Sequence, residues 1–295
     1  LKLELPSTAY RQLNRLRIHT SRHLRGRGMG QRAGARRRPA ADFRDHRKYV
    51  PGDDIRFVDW KASARHEQIF LKQGEQPHEN TVHLLIDTSA SMAWGQPPKR
   101  DATLLLAAAL GYLALANEDR LQVIPLHTAG RDGTAPARFK GKARFPALLN
   151  FLSQIPFGGR IELNSSLREA AKNHRGGVII LLSDLLDAGN LAAGLRALPP
   201  PAWDVTVLHL LHPHELAPDL HGEFEMVDAE SSAHTNYDIT PQALAAYHQH
   251  LQTWRAAIEL ACIQNHALYT LLSTGWQLDR EMLPHLQKLG ILERT

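Results

Sequence analysis

Asp87, Ser89 and Ser91 stand at alternate positions in the stretch TVHLLIDTSASM. Three oxygen-bearing side chains at that spacing suit a hard divalent cation. The preceding run of Val82, Leu84, Leu85 and Ile86 is too short for a helix, which predicts a strand buried on both faces of a parallel sheet. In open α/β sheets ligands collect outside the carboxyl ends of strands, where Asp87 falls. A second buried run, GVIILLS, leads directly into Asp184. The two acids, Asp87 and Asp184, are suited to holding an ion rather than to dividing acid and base roles. Serines after a strand also arise for capping alone, so the triplet by itself is equally a plain turn.

The elements that must position these residues follow from periodicity. Strands are predicted over 121–127, 177–183, 203–211 and 268–272, and helices over 99–116, 145–152, 190–198 and 241–264. Thr240-Pro241 supplies an N-cap and a first-turn proline. Strands alternating with helices imply a doubly wound, mostly parallel sheet. At the margins the sequence predicts a helix over 7–24, an edge hairpin at 138–144, an edge strand at 224–227 and a final helix over 283–292. His209, His212, His214 and His221 follow a strand into a proline-containing loop, which reads as a solvent-exposed loop rather than a zinc site.

With 295 residues the chain can bury a large core, and at about 150 residues per domain it has room for one large or two small domains. The lone Cys262 excludes an internal disulfide and sits at helical spacing in an apolar stretch, as a buried thiol would. No signal peptide or lipidation motif is present and the longest apolar run is too short to span a bilayer. The expectation is a cytoplasmic protein, although a start at Leu1 leaves a removed membrane anchor open. The net charge of +5 is concentrated near the amino end, where Arg11 to Arg38 precede the first acid after Glu4, Asp42. Such an arm could attract nucleic acid, but Tyr10 is its only aromatic, so the bland reading is a solvated surface or a contact for an acidic protein.

The stretch FRDHRKYVPGDDIRFVDWKASARHEQIFLKQ carries Tyr49, Pro51, Gly52, Asp53, Asp54, Arg56, Asp59, Trp60, Ala64 and Arg65 in a long, specific spacing. In this it resembles the domain-of-unknown-function-58 family, in which such a signature leads into a von Willebrand factor A-like core. The D-x-S-x-S stretch likewise resembles that fold's metal-ion-dependent adhesion site. The resemblance implies residues 1–41 as a basic helix and arm, 42–80 as a β-element packed on the core, 81–235 as the von Willebrand A-like core and 236–295 as a helical extension. It further implies Mg²⁺ or Mn²⁺ held by Asp87, Ser89, Ser91 and Asp184, with an open position for a carboxylate of a protein partner. Members are commonly encoded beside MoxR-type AAA ATPases, which makes such an ATPase the expected partner. Asp53, Asp54, Arg56 and Asp59 are then a partner-facing surface or, alternatively, a local network of ion pairs and turns.

One departure stands out. Aligning GGRIELNSSL on Leu163 and Leu167 puts Ile161 where the family places a metal-binding Thr, and Glu162 where it usually has Asp. Either Asn164, Ser165 or Ser166 substitutes, or water does, or the site binds metal poorly. No Walker loop, G-x-S-x-G elbow or H-E-x-x-H motif is present. The expectation is a non-enzymatic interaction module. The alternatives are a metal-free scaffold, a Mg²⁺-dependent phosphohydrolase and a nucleic-acid binder.

Overall fold

A computed structural model describes residues 3–20, 43–49, 55, 58–66, 68–74, 80–126, 134–186, 189, 191–227 and 233–295. The chain forms two compact units, one made of residues 1–24 with 80–295 and the other of residues 25–79.

In the larger unit, helix α1 (Ser7–Leu13) is followed at once by strand β1 (Leu16–Ile18). The single helix predicted over 7–24 does not form. It stops at Leu13 because β1 pairs antiparallel with the last strand of the chain, Leu16 opposite Arg294 and Ile18 opposite Leu292. Arg17 reinforces the pairing with two hydrogen bonds to Glu293, and His19 contacts the same carboxylate. A partner almost a whole chain away is invisible to local periodicity.

The smaller unit holds β2 (Phe43–Lys48), α2 (Trp60–His66) and β3 (Phe70–Gly74), with β2 and β3 antiparallel.

The centre of the larger unit is a sheet of β4 (Thr81–Asp87), β5 (Arg120–Leu126), β6 (Ala137–Lys140), β7 (Gly177–Ser183), β8 (Trp203–Leu211) and, beyond a surface hairpin, β11 (Leu268–Ser273). The hairpin pairs β9 (Gly222–Val227) with β10 (His234–Ile239). The central order is β11-β8-β7-β4-β5-β6, with every pair parallel except the antiparallel edge strand β6. This is the doubly wound sheet that the von Willebrand A-like resemblance implied. Only one strand of the expected 138–144 hairpin forms, because residues 142–144 turn into a 3₁₀ segment.

Among the described residues the larger unit has seven further helices: α3 (Lys99–Ala116), α4 (Phe145–Ser153), α5 (Leu163–Asn173), α6 (Leu191–Leu195), α7 (Pro213–Leu216), α8 (Pro241–Gln264) and α9 (Leu283–Lys288). A π-helical turn, Leu278–Met282, precedes α9, and β12 (Leu292–Arg294) replaces the end of the expected final helix.

Alternation along β4 sorts its side chains between two cores. Val82, Leu84 and Ile86 face α1, α3 and α4, while Leu85 faces α5, α6 and α8. Two glycines permit close approaches that position the site. A Cβ at Gly111 of α3 would lie 2.5 Å from a Leu148 methyl of α4, and one at Gly177 would lie 2.4 Å from the Thr81 carbonyl oxygen of β4. Gly177 also has φ +141°, outside the range that side-chain-bearing residues favour. With β4 and β7 so close, their carboxyl ends deliver Asp87 and Asp184 to neighbouring loops.

Candidate functional site

Asp87 ends β4, and its burial explains its hydrogen bonding. One carboxylate oxygen accepts the Ser89 N–H at 2.8 Å, and the other accepts the Ser183 hydroxyl from the end of β7. A buried carboxylate needs such donors. Burial first, and the nearby Asp184 carboxylate second, push the Asp87 carboxyl up to about 6, while Ser183 and Ser89 act in the opposite direction. Ser89 and Ser91 bring their hydroxyl oxygens to 2.9 Å of each other.

Two further connections shape the site. The Thr88 hydroxyl donates to the Leu126 carbonyl at the end of β5. The Gly158 N–H donates to the Thr88 carbonyl and the Ala90 N–H to the Gly159 carbonyl, both at 2.8 Å. The glycine loop therefore meets the D-x-S-x-S loop as expected, through backbone. Beyond it, Ile161 is buried among Leu85, Leu126, Leu163 and Leu167. A β-branched apolar side chain has turned inward to the core, where a Thr hydroxyl would need a partner. Of the three alternatives, two are engaged elsewhere: the Ser165 hydroxyl donates to the Glu162 carboxylate and the Ser166 hydroxyl to the Glu162 carbonyl, whereas the Asn164 side-chain oxygen is buried without a hydrogen-bond partner.

The residue that sequence reasoning missed is Lys99. It is the first residue of α3 and completely buried. Its ammonium donates to Asp184 Oδ2 at 2.8 Å and to Glu215 Oε1 at 2.5 Å. The other Asp184 oxygen accepts the Leu186 N–H at 3.2 Å. Glu215 is fixed in turn: its second oxygen accepts the His212 N–H, in a capping box that opens α7, and its carbonyl accepts the Tyr247 hydroxyl of α8 at 2.6 Å. The signal available in the sequence was a lone lysine beginning an Ala/Leu helix a few residues past the motif, but a lysine there ordinarily reads as a solvated first-turn residue.

The donor set can be tested against a hard divalent cation. Adjacent ligands of an octahedral Mg²⁺ with bonds of about 2.1 Å lie roughly 3.0 Å apart, close to the 2.9 Å separation of the two serine oxygens. Asp87 and Asp184 supply the negative charge, with Asp87 held in a setting that favours neutralisation. Asp87, Ser89 and Ser91 are the residues that would hold Mg²⁺ or Mn²⁺. Ile161 contributes nothing to the set, and Asp184 carries the Lys99 ammonium.

The histidines divide differently from expectation. His214 and His221 are exposed, but His209 and His212 are buried. His209 bonds the Tyr269 hydroxyl at 2.9 Å and meets Trp254 edge-on, and burial lowers its pKa to about 4. It is a core side chain because β8 is buried on both faces from Val205 to Leu211. Among the described residues no group of three or more His, Cys, Asp or Glu could hold a metal ion. The Cys262 thiol is buried and pushed up to about 12.

Asp59 accepts the backbone N–H groups of Lys61 and Ala62, the bonds of a helix N-cap for α2. Asp53, Asp54 and Arg56 lie outside the described residues, as does the arm from Arg22 to Arg38. Among the described residues, no helix is long and apolar enough to cross a membrane.

Comparison with known proteins adds relatives without an assigned role. The chain is 28% identical over 236 residues to "Uncharacterized protein Rv1480" of Mycobacterium tuberculosis, covering 78% of this chain and 73% of that protein. The same figures hold for "Uncharacterized protein Mb1516" of Mycobacterium bovis. Among solved structures, the conserved hypothetical protein BatB from Bacteroides thetaiotaomicron matches with a TM-score of 0.41 and 11% identity, over 72% of this chain and 98% of that one. A von Willebrand factor type A protein from Catenulispora acidiphila matches with a TM-score of 0.37 and 13% identity, over 72% of this chain and 41% of that one. The profile described as "Protein of unknown function DUF58" matches residues 45–257, so the chain belongs to the DUF58 family.

Proposed function

We propose that this protein is a non-enzymatic interaction module that captures an acidic side chain of a protein partner at the carboxyl end of its central sheet. The observation that carries the reading is the meeting of Asp87, Ser89 and Ser91 with the Asp184 loop at one buried polar cluster. Asp87, Ser89 and Ser91 would hold Mg²⁺ or Mn²⁺, and a bound ion would supply the positive charge that attracts a partner carboxylate. The rim suits protein contact. Trp94, after the serines, and Leu186, after Asp184, are 47% and 53% exposed although both are large and apolar.

Kinship makes a MoxR-type AAA ATPase the expected partner, acting with this module in assembly or maturation of other proteins. The test is a pull-down of that ATPase with and without chelator. Binding is expected to need Mg²⁺ or Mn²⁺ and to fall at least ten-fold on Asp87→Ala or Ser89→Ala with the fold retained. Chelator-insensitive binding, unaffected by either substitution, overturns the reading.

The ion pair of Lys99 with Asp184 and Glu215 favours a second reading, a scaffold that needs no metal, because the protein already places a cation on one of the two acids. That reading expects partner binding to survive chelation. Turnover of a generic phosphate ester with Mg²⁺, abolished by Asp87→Ala, would instead make the protein a phosphohydrolase. A steep salt dependence that weakens when Arg36, Arg37 and Arg38 are neutralised would mark a nucleic-acid binder.

A further inference from the structure

Lysines at the start of helices ordinarily extend their four-carbon stems along the surface and keep the ammonium in water. Lys99 does the reverse. Its side chain is 0% exposed, and its ammonium reaches Asp184 and Glu215 at 2.8 and 2.5 Å with the Trp94 ring centroid 6.0 Å away. Removing an ammonium from water is tolerated only where its partners are well placed. Here the partner is the very acid that resemblance assigns to the ion.

A divalent ion and an ammonium drawn to the same carboxylate repel each other strongly in a buried setting. Both Asp184 oxygens are engaged while Lys99 is in place, one by the ammonium and the other by the Leu186 N–H. Glu215 offers the ammonium somewhere else to rest. The capping box and the Tyr247 hydroxyl hold Glu215 in position from both sides. Counted formally, Asp87, Asp184 and Glu215 outweigh Lys99, so a cluster with all three acids ionised attracts a further cation.

We propose that Lys99 is a tethered competitor for the divalent cation. With its ammonium on Asp184 the site holds Mg²⁺ weakly, and tight uptake of the ion requires Lys99 to give up Asp184 and remain on Glu215 alone. The inference rests on the ion-dependent reading of the site and adds the residue that sets its affinity. Occupancy then follows the position of one side chain at the head of α3.

Calorimetric titration of Mg²⁺, and of Mn²⁺, into the full chain tests this with the wild type, Lys99→Met and the double variant Lys99→Met with Glu215→Gln. The double variant removes one positive and one negative charge, so the formal charge of the cluster is unchanged, and circular dichroism establishes that each variant is folded. The double variant is expected to bind the ion at least ten-fold more tightly than the wild type, with binding lost on adding Asp87→Ala. Equal affinity in wild type and double variant overturns the competition while leaving the ion site standing. Absence of uptake by all three overturns both. A measurement on the wild type alone tests the same point independently: saturating Mg²⁺ is expected to move the Lys99 Nζ resonance in a nitrogen-15 spectrum, and an unmoved resonance at saturation overturns the proposal.

Discussion

Asp87 and His83 lie on the same strand, four residues apart and almost equally buried, yet the protein treats them in opposite ways. At the amino end of β4, His83 packs against His174 with ring centroids 4.5 Å apart and against Trp203 at 5.5 Å. Burial, then the charge that His174 can carry, lower its pKa to about 4, so it is neutral at physiological pH. At the carboxyl end, charge is kept and answered: Asp184 and Glu215 by the Lys99 ammonium, Asp87 by donors from Ser89 and Ser183. The contrast teaches that burial alone does not mark a site. Neutralising a group is the simpler answer to burial, and a cluster that retains several charges at the open end of a sheet is a better functional candidate than an equally buried neutral imidazole.

The comparison breaks most severely at Lys99. Lys99→Met leaves Asp184 and Glu215 without their cation and is expected to destabilise the fold by about 3–5 kcal/mol, read by urea denaturation. The loss should shrink when Glu215→Gln is added. A cost below about 1 kcal/mol for Lys99→Met would mean that the carboxyl end resembles the amino end after all.

The amino end answers to pH. The unfolded His83 binds its proton near pH 6.5 and the folded one near pH 4, so its contribution is complete above pH 6.5 and is lost as pH falls between those values. Arg138 and His174 oppose its protonation, whereas the Gly176 carbonyl and Gln122 favour it. His209 behaves alike through its own burial, and the raised Asp87 acts in the opposite sense below about pH 6. The difference between wild type and His83→Phe cancels those shared contributions. His83→Phe is expected to flatten the acid limb of stability by about 1–3 kcal/mol between pH 6.5 and 4. Parallel curves would show that His83 takes up its proton in the fold as readily as in the unfolded chain.

Ile161→Thr sharpens the comparison from the ligand side. It places a hydroxyl in the apolar cluster of Leu85, Leu126 and Leu163 and removes a methyl group, for an expected loss of about 1–3 kcal/mol in thermal melts. A gain in Mg²⁺ affinity with that loss would show the hydroxyl turning outward to the site. A carboxylate outside both regions calibrates the scale: Asp59→Ala removes the cap of α2 and is expected to cost about 1 kcal/mol with Mg²⁺ uptake unchanged.

Legibility in the sequence tracked the range of the interactions involved. The strands β4, β7 and β8 were readable because continuous apolar runs bounded by turns have few other solutions, and the D-x-S-x-S stretch was readable because its spacing is local. His209 and His212 do not belong to an exposed loop as their surroundings in the sequence suggest. His209 lies within the strand predicted over 203–211, which is buried on both faces there, and His212 is covered by Trp94 and Gly95 from the loop after β4. The end of α1 escapes local reading for a related reason, since the competing partner of residues 16–18 lies at the far end of the chain.

The amino-acid sequence by itself determined the family signature, the wound sheet and the three loop oxygens of Asp87, Ser89 and Ser91, all of which depend on neighbours close in the chain. Only the tertiary structure decided where Lys99 sends its charge, that Glu215 shares it, and that Ile161 turns into the core. Those outcomes depend on residues separated by 85 and 116 positions for the ion pairs. The choice between water and a buried carboxylate is made by packing, which no local pattern records.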